Sequence, residues 1–283
     1  MPRILVIDGN VEEIRARQRA ALGYDSGDGY ARVLASLLPG VHCDVIRPGD
    51  GPAPLPHGLA LEDYDGATMT GSALNIYNGG APVERQVESA RAVLEAGVPF
   101  FGSCWGLQVA VTAAGGSVRA NPRGREFGFA RRILLTDAGR AHPMFAGKPA
   151  VFEAPTIHRD EVAVLPPGAT VLANNEISLQ AVVFTYRRGT VWGVQYHPEY
   201  DFLDIAAAAE RYGSTLVGEG LFSDAAALGA YAADLRVLQQ QPTHGPLGWK
   251  HGLGAAMTDP AVRLAEIRNW IAQQVLPRAA RHG

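Results

Sequence analysis

The chain has 283 residues, 47% hydrophobic and 19% charged, which excludes a disordered tail, a collagen-like fibre and a coiled coil. A formal net charge of −3 gives no basic balance for a nucleic-acid partner, and no apolar stretch reaches the roughly 18–20 residues that span a bilayer. Two cysteines, Cys43 and Cys104, cannot form a disulfide framework, and the N-terminal apolar run is too short for a signal peptide. A cytoplasmic protein without a membrane partner is expected, in which a cysteine is catalytic or buried.

Ile4 to Ile7, closed by Asp8-Gly9-Asn10, reads as a buried first strand and its turn. Asn10 is placed to cap the next segment, where Glu12 and Glu13 suit a helix N-terminus. A glycine-rich stretch at 23–29 interrupts, and Tyr30 to Leu38 resumes a helical pattern. Cys43 to Ile46 gives a second strand, 47–56 a Pro/Gly loop, and Ala67 to Thr70 a third strand running into Gly71-Ser72. Pro82 opens a helix through Ala96, Pro99 to Gly102 form a fourth strand, and Trp105 to Ala114 a helix ended by Gly115-Gly116. This alternation predicts an α/β fold with a mostly parallel central sheet and flanking helices.

Beyond Phe127, strand-like runs at 129–135, 150–157, 170–174, 180–186 and 190–196 add extra β-strands without an intervening linker. Helices follow at 202–216 and 223–240, then a Gly/Pro loop at 242–254. A last helix begins at Asp259-Pro260, a cap followed by proline at the first helical position. The expected organisation is a domain over 1–215 and a helical extension over 216–283 packed on it.

Two clusters could carry chemistry. In Gly102-Ser103-Cys104-Trp105-Gly106-Leu107-Gln108 a cysteine sits between a buried strand and a helix, with small residues allowing the tight turn of a nucleophile elbow. The helix N-terminus there favours a thiolate, and its backbone N–H groups can hold a developing oxyanion. At the end of a later strand, His197-Pro198-Glu199 places a carboxylate two residues from an imidazole. That spacing puts both side chains on one side of an extended backbone, so the acid can fix the tautomer of a general base.

Together these clusters resemble the class I (triad-type) glutamine amidotransferase family, which pairs Gly-x-Cys-x-Gly-x-Gln with a later His-Pro-Glu. Three further stretches match in order: Thr70-Gly71-Ser72 at the oxyanion loop, Arg125-Glu126-Phe127-Gly128, and Ile157-His158-Arg159-Asp160-Glu161-Val162. Within the family the pattern is similar to a stand-alone glutaminase of the GMP synthase type. The resemblance implies a flavodoxin-like sheet and a Cys104–His197–Glu199 triad. It also implies an oxyanion hole from the Gly71 and Trp105 N–H groups, and glutamine contacts from Gln108, Arg159 and Asp160. No metal or other cofactor is called for.

Arg159 stands where relatives have Gly, and the oxyanion loop lacks the usual Gly-Gly-Pro ending, so the substrate is less settled than the nucleophile. His142, His158 and His251 show no metal-ligand spacing, and Trp270 reads as a packing anchor. Three functions follow. The first is a glutaminase giving glutamate and ammonia for a separate synthetase subunit, since 216–283 is too short and too helical to supply one. The second is a γ-glutamyl hydrolase or peptidase using the same triad, and the third a catalytically silent binding module.

Overall fold

The computed structural model describes residues 1–56 and 58–282, and of His282 the backbone alone. Its strands are β1 (Arg3–Ile7), β2 (His42–Ile46), β3 (Gly66–Met69), β4 (Phe100–Ser103), β5 (Ser117–Ala120) and β6 (Glu126–Leu135). They continue with β7 (Val151–His158), β8 (Asp160–Val164), β9 (Thr170–Asn174), β10 (Leu179–Tyr186) and β11 (Gly189–Val194). Nine of them form one sheet in the order β2-β1-β3-β4-β11-β10-β9-β6-β7, while β5 and β8 pair as a separate ribbon. The sheet is mixed. Register is parallel from β2 to β11 and antiparallel from β11 to β7.

Alternation along β1 divides the core into two layers. Ile4 and Val6 face a cluster with Tyr30 and Leu34 of α2 (Ser26–Leu37, following α1 at Glu12–Leu22). Leu5 and Ile7 face the opposite layer, built by Val83, Ala90 and Leu94 of α3 (Ala81–Glu95) and Leu107 and Ala110 of α4 (Trp105–Ala113). Burial on both faces accounts for the unbroken apolar runs of the parallel strands.

The structure corrects the glycine-rich interruption. α2 begins at Ser26, capped by Asp25, whose side chain accepts from Asp28 N at 3.1 Å. Gly27 lies inside the helix because a Cβ there would come within 2.7 Å of Val45 Cγ1, so glycine permits α2 to close onto β2. The ribbon of β5 and β8 adds two strands that the sequence reading did not name. Past the short α5 (Asp137–Ala141), the helix expected over 202–216 is two, α6 (Phe202–Arg211) and α7 (Gly213–Gly218), broken at Tyr212.

α8 (Ala225–Gln240) packs its Ala232, Leu235 and Leu238 against Phe202 and Ile205 of α6. The loop expected over 242–254 contains a short helix, Gly245–Lys250. The last helical run, Ala265–Trp270, Ile271–Val275 and Leu276–His282, covers the parallel half of the sheet. Trp270 packs on Phe101 with ring centroids 5.8 Å apart, and a Cβ on Gly66 of β3 would meet it at 2.8 Å. Buried Glu266 accepts from Tyr196 Oη at 2.5 Å and pairs with buried Lys148 at 2.8 Å. Arg278 donates to the carbonyls of Tyr64 and Gly97, each at 2.9 Å. Among the described residues no helix is long and apolar enough to cross a membrane.

Candidate active site

The carboxyl ends of three neighbouring strands build the site. β3 runs into Thr70-Gly71, β4 into Cys104 and β11 towards His197, and the β3-β4-β11 order sets the three side by side. Cys104 holds φ 53° and ψ −104°, a left-handed backbone that L residues seldom adopt. Such a conformation costs on the order of 1–3 kcal/mol and persists only where its surroundings over-determine it. Here Cys104 N donates to Val194 O at 2.8 Å. A Cβ on Gly102 would come within 2.5 Å of Gly106 C, and one on Gly106 would overlap Met69 O. Glycine on each side of the cysteine is therefore what lets α4 sit against the strand ends.

His197 is buried with its ring between two surfaces. Tyr200 stacks on it at 4.0 Å with an interplanar angle of 7°. At Gly71 any Cβ would overlap His197 Cε1. Nδ1 meets Glu199 Oε1 at 2.7 Å, so the two-residue spacing read from the sequence does bring this pair together. Burial opposes a charge on His197, but the Glu199 carboxylate and Cys104 outweigh it and raise its pKa to about 10. The nearness of Cys104 adds to that rise. Cys104 Sγ also lies 3.6 Å from Ile157 O. By contrast Cys43 lies away from this site, its thiol pushed up to about 11 by burial, which leaves it inert.

Cys104, His197, Gly71, Gln108, Arg159 and Asp160 line one cavity of about 210 Å³. The Trp105 indole turns away to donate to Gln86 Oε1 at 2.7 Å, and its backbone N–H, at the first position of α4, has no partner within the helix. Gln108 Nε2 reaches Asp160 O at 3.4 Å and Gln195 Oε1 at 3.3 Å, bracing the wall. The Asp160 carboxylate accepts from Asn75 Nδ2 at 2.7 Å and Tyr77 Oη at 2.9 Å. Arg159 lines the cavity while one of its nitrogens donates to Asn121 O at 2.5 Å. His158, which precedes them, is fixed between Asp160 O and Glu126 Oε2, both at 2.9 Å.

Asn10 does not cap α1, whose N-cap is Val11. It holds the Gly71 loop instead, donating to Gly71 O at 3.3 Å and accepting from Ala73 N at 3.1 Å. The loop needs this brace because its own backbone groups lie beyond the sheet ladder. His142 caps the Pro143–Phe145 turn through Met144 N, and His251 pairs with Asp234 at 2.8 Å.

Several cavity residues escaped the sequence reasoning. Tyr200 follows the His-Pro-Glu turn directly, and an aromatic three residues past the histidine was a usable signal. Asn75 and Tyr77 had only their nearness to the Gly71 loop. Arg211 and Tyr212 gave no signal at all, because they lie far along the chain at a helix break. There Tyr212 stands under two guanidiniums, Arg211 at 5.2 Å and Arg125 at 5.6 Å, and Arg125 is paired with Glu219 at 2.7 Å.

The sequence profile of the family described as "Glutamine amidotransferase class-I" matches residues 23–202. Over 289 aligned residues the chain is 34% identical to a γ-glutamyl-L-1-hydroxyisopropylamide hydrolase of a Pseudomonas species, covering 99% of this chain and 95% of that protein. It is also 34% identical over 177 residues to the glutamine-hydrolysing GMP synthase of Thermomicrobium roseum, but these span 62% of this chain and only 30% of that protein. Among solved structures, a glutamine amidotransferase from Thermotoga maritima aligns with TM-score 0.64 and 18% identity, covering 97% of this chain and 98% of its own. Another, from Methylobacillus flagellatus, aligns with TM-score 0.56 and 21% identity over 99% and 94%. At these identities the likeness is one of fold.

Proposed function

The chain belongs to the class I glutamine amidotransferase family as a hydrolase of amide bonds, and from that premise we propose that it cleaves γ-glutamyl amides to glutamate and a free amine. The observation that carries this is the near end-to-end likeness to a γ-glutamyl amide hydrolase, 99% of this chain against 95% of that protein. The likeness to GMP synthase spans 30% of that enzyme, which puts a glutaminase feeding a separate synthetase second.

In this mechanism the Cys104 thiolate attacks the γ-carbonyl carbon, and the backbone N–H groups of Gly71 and Trp105 hold the oxyanion. Imidazolium His197 gives its Nε2 proton to the amide nitrogen as the C–N bond breaks, so the amine leaves neutral. His197, now neutral, takes a proton from water, whose oxygen attacks the thioester and displaces Cys104 as glutamate forms. Glu199 keeps the proton on Nδ1 and steadies the imidazolium. The Asp160 carboxylate, held by Asn75 and Tyr77, is set to receive the α-ammonium group of the glutamyl moiety. Arg159, on the same wall, is set to receive the α-carboxylate.

The test is a panel of L-glutamine, γ-glutamyl alkylamides and γ-glutamyl peptides, with glutamate, amine and ammonia measured separately. Amine release from the alkylamides that vanishes in Cys104→Ser is expected. Turnover of glutamine alone would return the chain to the glutaminase reading.

A further inference from the structure

Arg211 is the last residue of α6 and stands in the wall of the cavity that holds Cys104. Three guanidiniums line that cavity, and two of them have partners: Arg125 is paired with Glu219 at 2.7 Å, and Arg159 donates to Asn121 O at 2.5 Å. Arg211 has neither a hydrogen bond nor an ion pair among the described residues, and its Nε is buried. It rests against the Tyr212 ring at 5.2 Å. A helix C-terminus favours a cation, but that position alone does not explain a buried donor left open, because buried polar atoms are nearly always satisfied.

Charge gives the missing partner its sign. Beyond Cys104 and His197, the permanently charged side chains lining the cavity are Arg125, Arg159, Arg211 and Asp160. Glu219 offsets Arg125. The glutamyl moiety brings one ammonium and one carboxylate, which Asp160 and Arg159 receive in the mechanism above. One cation is left over, whichever guanidinium takes the α-carboxylate.

We infer that Arg211 selects the leaving group: the released amine carries a carboxylate of its own, as an amino acid does, and Arg211 binds it through the paired N–H groups of its guanidinium. The inference rests on the γ-glutamyl amide reading above and deepens it. Direction comes from Tyr200, whose ring is stacked on His197, the proposed acid for the leaving nitrogen. Burial pushes the Tyr200 hydroxyl well above its usual pKa, the Glu199 charge adds to this and the Arg211 charge opposes it. Arg211 therefore lies on the His197 side of the cavity. Asp160, the glutamyl anchor, is held by Asn75 and Tyr77 of the segment after Gly71. A substituent on the nitrogen that His197 protonates thus meets Arg211 inside the cavity that also holds Cys104.

γ-Glutamylglycine and γ-glutamylglycinamide differ only in whether the released amine carries a carboxylate, so the ratio of their kcat/KM values reads the contact. In the wild type the carboxylate substrate should be favoured at least about tenfold, and in Arg211→Gln the ratio should fall to within about twofold of one. Both substrates are read on the same protein, so a general loss of activity cancels. Where Arg211→Gln loses all turnover, Arg211→Lys decides, because it keeps the charge without the planar fork. A ratio lowered several-fold there supports the assignment, and a ratio equal to that of the wild type overturns it. A wild type that treats the two conjugates alike or prefers the glycinamide overturns the assignment while the γ-glutamyl amide reading stands, and so does a ratio unmoved in Arg211→Gln. Ammonia from L-glutamine with no amine from any γ-glutamyl amide overturns that reading, and the assignment with it.

Discussion

The parallel half of the sheet and the elements that surround it contribute to the site in different ways. β3, β4 and β11 bring Gly71, Cys104 and His197 together through backbone alone, with glycines at 71, 102 and 106 where any side chain would collide. The separate β5–β8 ribbon, the Gly71 loop and the helices after Glu199 contribute long side chains reaching in from separate elements: Asp160, Tyr77, Arg211 and Tyr212. On the proposed function, the reactive atoms rest on the rigid part of the fold, while the walls that choose a substrate are assembled from loops and helix ends. A change in the first region should abolish chemistry at every substrate, and a change in the second should sort substrates.

The sharpest break is Glu199→Gln. In the wild type, burial disfavours the His197 charge and the Glu199 carboxylate outweighs it, raising the pKa to about 10. Without the carboxylate that contribution is lost and the pKa falls. The variant should lose on the order of 10³- to 10⁴-fold in kcat on all substrates, with the alkaline limb of its pH profile displaced to lower pH. The same shift has a stability sign. A folded pKa above the unfolded 6.5 contributes stability fully present below pH 6.5 and lost as pH rises through about 10. Urea unfolding between those values should slope downward in the wild type and flatten in the variant; parallel curves would show that Glu199 does not hold the imidazolium.

Next in size is Gly71→Ala. Its Cβ would overlap His197 Cε1, displacing either the ring or the oxyanion loop, so kcat should fall on the order of 10²- to 10³-fold for glutamine and amides alike. A selective loss would mean that Gly71 shapes the substrate pocket instead.

This contrast also describes how far the sequence could be read. Cys104, His197 and Glu199 were legible because their geometry depends on short-range spacing: a strand-to-helix turn flanked by glycines, and two residues two apart on an extended backbone. Asn10 was misassigned because a polar residue after a strand suits a helix cap and a loop brace equally, and only the loop's tertiary position decides. The start of α2 was missed because Gly27 lowers helix propensity locally, while its purpose is the approach to Val45 across the core. Tyr212 and Arg211 could not be paired with Cys104 by any local rule, since their approach depends on where α6 ends.

A change in the last helical run, behind the site, should move stability and leave catalysis alone. Glu266→Ala strands the Lys148 cation in the core and removes the acceptor of Tyr196. It should cost about 3–5 kcal/mol of unfolding free energy, with kcat of the folded fraction unchanged. A matching drop in kcat would tie the last helical run to the chemistry.

The smallest effect belongs to the wall. Tyr77→Phe removes one donor to the Asp160 carboxylate at a half-exposed position, worth about 0.5–1.5 kcal/mol. KM for every γ-glutamyl substrate should rise a few-fold with kcat unchanged; a fall in kcat with constant KM would place Asp160 outside glutamyl binding.

The central claim is that Cys104 takes the glutamyl group and releases an amine. Quenched-flow mass spectrometry with γ-glutamyl isopropylamide tests it most directly. A glutamyl adduct on the peptide containing Cys104, forming as free amine appears and decaying as glutamate appears, is the predicted result. Glutamate and amine released with no adduct on Cys104, or an adduct formed from L-glutamine and never from the amide, would contradict the account.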